Sequence, residues 1–197
     1  EKPRADLVNF FWFKRAKLAV DQKRFDDAEK HAQKVPELQF RAILLFDMAR
    51  IQEKSETDAP ALFETLNRVS KLARNAENSV AKAQILLGLS NMYEKVNHST
   101  AMDELSEAIR VTNILKEPDL FQTNVIRQIV GKGYGHFTSY ITPGYDLEKT
   151  FEQLGKKNFE ISLGHAKSLD DRYLRTLAVI AVASNCAKNS KPAARPK

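Results

Sequence analysis

From Phe25 to Ala49 the chain reads FDDAEKHAQKVPELQFRAILLFDMA, with apolar and small residues recurring three and four positions apart. Phe25, Ala28, Ala32 and Val35 share one side of a first run. Pro36 marks a turn, and Ala42, Leu45, Phe46 and Ala49 share one side of a second run. That period is the face of a helix, so the stretch predicts two helices folded back on each other as a hairpin.

The same columns return three times. The first-helix positions recur as Leu66, Val69, Ala73 and Ala76, then as Leu105, Ala108, Thr112 and Leu115, then as Phe159, Ser162, Ala166 and Leu169. The second-helix positions recur as Ala83, Leu86, Leu87 and Ser90, as Gln122, Val125, Ile126 and Ile129, and as Thr176, Val179, Ile180 and Ala183. Off the core columns, His31 aligns with His165 and Arg41 with Arg175. Self-similarity at about 40 residues is the mark of a helical repeat array. The expected fold is all-α: antiparallel helical hairpins stacked as a short solenoid, one domain over 1–188 with a basic tail at 189–197.

Local signals sit where the repeat puts helix ends. Lys23 and Arg24 make a turn, and Asp58 before Pro60 is placed to cap a helix. Asn78 and Ser79 punctuate the second hairpin, Thr100 with Asp103 resembles a capping box, Pro118 and Asp119 break and cap, and Asp170 or Asp171 opens the last helix. Asp6 to Gln22 reads as an opening helix. Its consecutive Phe10, Phe11, Trp12 and Phe13 spread around the whole circumference. They are either wrapped by the first hairpin or form a sticky surface, Trp12 included, for a partner or a second copy.

Regularity breaks at Gly131 to Asp146, GKGYGHFTSYITPGYD, which holds four of the seven glycines. The glycines end the preceding helix, Phe137 to Ile141 has β-type residues, and Pro143-Gly144 is a turn signal. Two readings stand. Tyr134, Phe137, Tyr140 and Tyr145 form an ordered, partly exposed loop that touches a partner, or they fold back to plug the groove between the third and fourth hairpins. The glycine run is not a phosphate loop, because it lacks the G-x-x-x-x-G-K-[ST] order and opens no helix.

Composition narrows the function classes. At 197 residues and 43% hydrophobic content the chain can bury a real core. The formal charge of +6 comes from 31 basic and 25 acidic residues, a mixed surface that favours acidic partners only mildly. Lys14, Arg15 and Lys17, Lys71 and Arg74, and Lys156 and Lys157 are interleaved with acids, a solvated face more than a nucleic-acid track. Cys186, the single cysteine, excludes a disulfide within the chain and a thiolate zinc cluster, and reads as a buried inert thiol. The four histidines lack metal-ligand spacing. No transmembrane segment, metal, cofactor or catalytic residue is expected.

AKLAVDQKRFDDAEKHAQKVPE, with its helix, short basic turn, aromatic and spaced alanines, resembles a tetratricopeptide repeat. It departs from that pattern in the early Pro36 and in lacking the Trp-Leu-Gly-Tyr signature. More loosely, the chain is similar to uncharacterised exported bacterial helical-repeat proteins, a resemblance that implies an extracytoplasmic home; Glu1 in place of Met fits a removed signal. By fold analogy the expected function is non-catalytic, a protein or peptide interaction or scaffold module. The alternatives are a nucleic-acid or anionic-surface binder, and a small-ligand binder or enzyme using the 131–146 insertion.

Overall fold

The structure, a computed structural model, describes residues 2–55, 58–131, 133–142 and 145–189, and omits the side chains of residues 2, 3, 134 and 186–189. The Pro143-Gly144 turn, the Cys186 side chain and the tail from residue 190 lie outside that description. The chain is mostly helical. In order run α1 (Lys2–Asp21), α2 (Phe25–Ala32), α3 (Leu38–Glu53), α4 (Ala59–Arg74), α5 (Val80–Tyr93) and α6 (His98–Ile114). Then come β1 (Asn124–Gly131), β2 (Tyr134–Ile141), α7 (Leu147–Lys157), α8 (Phe159–Lys167) and α9 (Arg172–Asn189).

The first two copies of the columns lie in helices, and nearly all of their positions are buried. Ala28, Ala32, Ala42, Leu45, Phe46, Ala49, Leu66, Val69, Ala73, Ala83, Leu86 and Leu87 are all in the core. Helix α5 is the centre: every residue from Lys82 to Ser90 is buried, because α3, α4, α6 and α7 surround it. A helix buried on all sides loses its polar stripe, and ILLGL is what remains.

A recurring device ties each first helix to its successor. Arg41 donates to the Val35 carbonyl through Nε at 3.0 Å and Nη2 at 2.7 Å. Lys82 Nζ donates to Ala76 O at 3.0 Å, and Arg175 Nη1 donates to Leu169 O at 3.0 Å. Val35, Ala76 and Leu169 are one repeat column, and each cation stands six residues beyond its carbonyl. A cation at a helix C-terminus satisfies orphan carbonyls and the negative end of the dipole. In the third copy the equivalent of Arg41 is Phe121, which cannot donate.

That third copy is where the structure departs from expectation. Gln122, Val125, Ile126 and Ile129 do not face one side of a helix. They enter β1, which pairs antiparallel with β2, Val125 opposite Tyr140 and Ile129 opposite His136. Burial alternates strictly along β1, with Val125, Arg127 and Ile129 inside. The glycines therefore do not terminate a helix: Gly133, at φ +80°, lies in the connection between two strands, a conformation that favours glycine. Asp119 accepts from Phe121 N at 3.1 Å, so it makes a turn into a strand and caps no helix.

Two further corrections concern helix starts and faces. Asn97, not Thr100, caps α6, accepting from Thr100 N at 3.1 Å. Ser79 caps α5 and Asp171 caps the start of α9, as their sequence positions suggest. On α9 the expected face of Thr176, Val179, Ile180 and Ala183 is largely exposed, and the buried face is Leu174, Ala178, Ala181 and Val182. The cause is α7, whose Leu147, Phe151 and Leu154 are buried and which packs on α9 together with α8. The long last step of the repeat is thus a strand plus an extra helix.

Candidate functional site

The β-hairpin has two unlike faces. Its inner face docks on α1 and α3 through Arg127, which is 6% exposed. The guanidinium lies 3.9 Å from the Phe40 ring centroid and under 6 Å from those of Phe10 and Phe13. Its Nη2 is 3.1 Å from Glu37 Oε2, yet neither terminal nitrogen has a well-aligned hydrogen bond. The cation is therefore held by charge and ring faces, which suits the weakly hydrated, planar guanidinium. Beside it, the Tyr140 ring meets Phe13 at 4.9 Å and Phe40 at 5.8 Å, both edge-on, and burial pushes its hydroxyl pKa up. His136 meets Phe10 at 4.8 Å.

The outer face is apolar and open. Ile126, Val130, Phe137 and Ile141 are 53%, 59%, 65% and 71% exposed. In the register, Ile141 stands opposite Asn124 and Phe137 opposite Gln128, so these side chains share one surface. Each strand also has only one partner, which leaves two sheet edges. Near the start of β1, Phe121 and Tyr173 add an exposed edge-on ring pair with centroids 5.4 Å apart.

The aromatic residues singled out from sequence are thus divided. Phe137 lies on the outer face, Tyr140 on the inner face, and the backbone of Tyr134 pairs with Gly131. Tyr145 is buried at 1% exposure, beyond the hairpin, against Phe46. Trp12 is remote from all of them, stacked on His31 and covered by Lys34 Nζ at 3.8 Å. Of the consecutive aromatics on α1, Phe13 is wholly buried and Phe11 is exposed. Ile126, Val130 and Ile141 were not singled out from sequence; strict alternation over NVIRQIVG was the signal that could have found them.

Elsewhere, many of the cations in the basic runs have acids beside them. Lys17 bridges Asp21 and Asp47, Arg74 meets the buried Glu104, Lys156 meets Glu152, and Lys157 meets Glu94. Among the described residues no cluster of three or more His, Cys, Asp or Glu could hold a metal ion, and no helix is long and apolar enough to cross a membrane. Compared with protein-family profiles, curated proteins and solved structures, the chain gives no match.

Proposed function

We propose that this protein is a non-catalytic protein–protein interaction module of helical-repeat type, TPR-like in its stacked hairpins, which takes a protein or peptide partner on its β-hairpin. The observation that carries this reading is the outer face itself: four large apolar side chains more than half exposed on one two-stranded surface. Contiguous exposed apolar surface on a soluble protein usually marks a binding site. An extended partner segment pairing with the free edge of β2 would set alternate side chains beside Phe137 and Ile141 and satisfy the strand's unused backbone groups. The helical body supplies a rigid support, with Arg127 and Tyr140 as the anchor.

A photo-crosslinker at position 137 identifies the partner, and hydrogen exchange on the reconstituted pair tests the mode. Slowed exchange across 134–141 is the expected result. Protection confined to the helices would overturn the assignment, and concentration-dependent sedimentation of the protein alone would make the partner a second copy.

A further inference from the structure

A cleft of about 470 Å³ opens between α3, α5 and α7, and neither strand of the hairpin lines it. Its floor is apolar: Phe46 and Tyr145 are both buried, and Gly88 lies between them. A Cβ at position 88 would come within 3.0 Å of the Phe46 ring and 3.3 Å of Tyr145, so glycine keeps that floor open. The rim is cationic. Arg50, Lys54, Lys95 and Lys149 line it against a single acid, Glu53. Arg50 is paired with Asp47, Lys95 with Glu53, and Lys149 with Asp146. Lys54 has no ion-pair partner among the described residues.

A second observation points to a ligand. The Tyr145 hydroxyl is buried and makes no hydrogen bond. An unpartnered buried hydroxyl costs about 1–3 kcal/mol and calls for an explanation. Burial also raises its pKa, so it stays protonated and able to donate. A cleft of this size, with apolar walls and a few convergent polar groups, has the dimensions of a small-molecule site. A cationic rim at low-dielectric walls raises the local concentration of anions.

We propose that this cleft binds a small organic carboxylate with an aromatic or branched apolar body. The body lies over Phe46, Gly88 and Tyr145; the carboxylate is held by Arg50 and Lys54; and the Tyr145 hydroxyl donates to a ligand oxygen. The inference is independent of the hairpin's role.

The test is a chemical-shift titration with 3-phenylpropionate and 4-methylpentanoate, against the neutral 3-phenylpropanol. The expected result is saturable shifts at the amides of Gly88, Met92 and Tyr145, with the alcohol at least about tenfold weaker. Tyr145→Phe should weaken the acids severalfold while keeping or raising the melting temperature of the free protein, because it removes an unsatisfied group. Arg50→Met with Lys54→Met should weaken them about tenfold without unfolding. No saturable shift up to about 10 mM of either acid overturns the site. Equal binding of the alcohol overturns the carboxylate assignment, and a stable Tyr145→Phe with unchanged affinity overturns the hydroxyl's role.

Discussion

Helix α5 and strand β1 are built from similar material, AKAQILLGLS against NVIRQIVG, yet they solve opposite problems. Around α5 stand four helices, so every side chain from Lys82 to Ser90 is covered, the lysine included. β1 packs against only α1 and β2, so alternate side chains have somewhere to go and the rest do not. Apolar residues in the helical body are accounted for by the chain's own core, and those on the outer face of the hairpin are not. That contrast separates the part of the molecule that holds the fold from the part available to something else.

Breaking the first half of the comparison should have the largest effect. Leu86 is fully buried at the centre of α5, and Leu86→Asp strands a carboxylate there without a partner. Loss of the folded state, about 4 kcal/mol or more, is expected, read as absent cooperative melting in circular dichroism. A near-normal melt would show that the column is not core.

The anchor between the two regions comes next. Arg127→Ala removes a buried cation from three aromatic rings and leaves Glu37 without its partner; urea unfolding should show a loss of about 2–3 kcal/mol. Arg127→Met, which refills the cage with apolar volume, should recover part of it.

Lys82→Met tests the repeated carbonyl cap. It removes two donated bonds at the end of α4, to Ala76 O and Arg74 O, and should cost about 1–2 kcal/mol in the same measurement.

A weaker effect is expected from pH. Burial lowers the pKa of His165 in the folded protein. On acidification the unfolded chain takes up that proton first, near pH 6.5, so stability is unaffected well above this value and falls as pH drops through it. His165→Gln should flatten stability between about pH 7 and 5; an unchanged slope would assign the acid sensitivity to other groups.

The same contrast explains what could be read from the chain. The α2–α5 columns were legible because three-and-four spacing coincides with burial there. The third copy misled because Val125 and Ile129, four apart, satisfy a helix face and strand alternation equally. The discriminating signals were the β-branched density of β1 and Phe121 standing where Arg41, Lys82 and Arg175 stand in the other copies. On α9 the face was misassigned because α7, a strongly amphipathic helix at 147–157, has no counterpart in the repeat. Of the candidate site, Phe137 was legible as exposed surface. Tyr145 was not, since its position under α3 depends on contacts far apart in sequence, and the cation–ring anchor at Arg127 needs three separate elements to assemble.

The most direct test pairs two readings on one double variant, Phe137→Ser with Ile141→Ser. Both residues lie on the outer face and cover nothing in the core, so the melting temperature should stay within about 4 °C of the parent. Affinity for the crosslinked partner, measured by calorimetry on the same preparation, should fall at least about tenfold. A large drop in melting temperature would make the outer face part of the fold, and retained affinity would mean that the partner binds elsewhere.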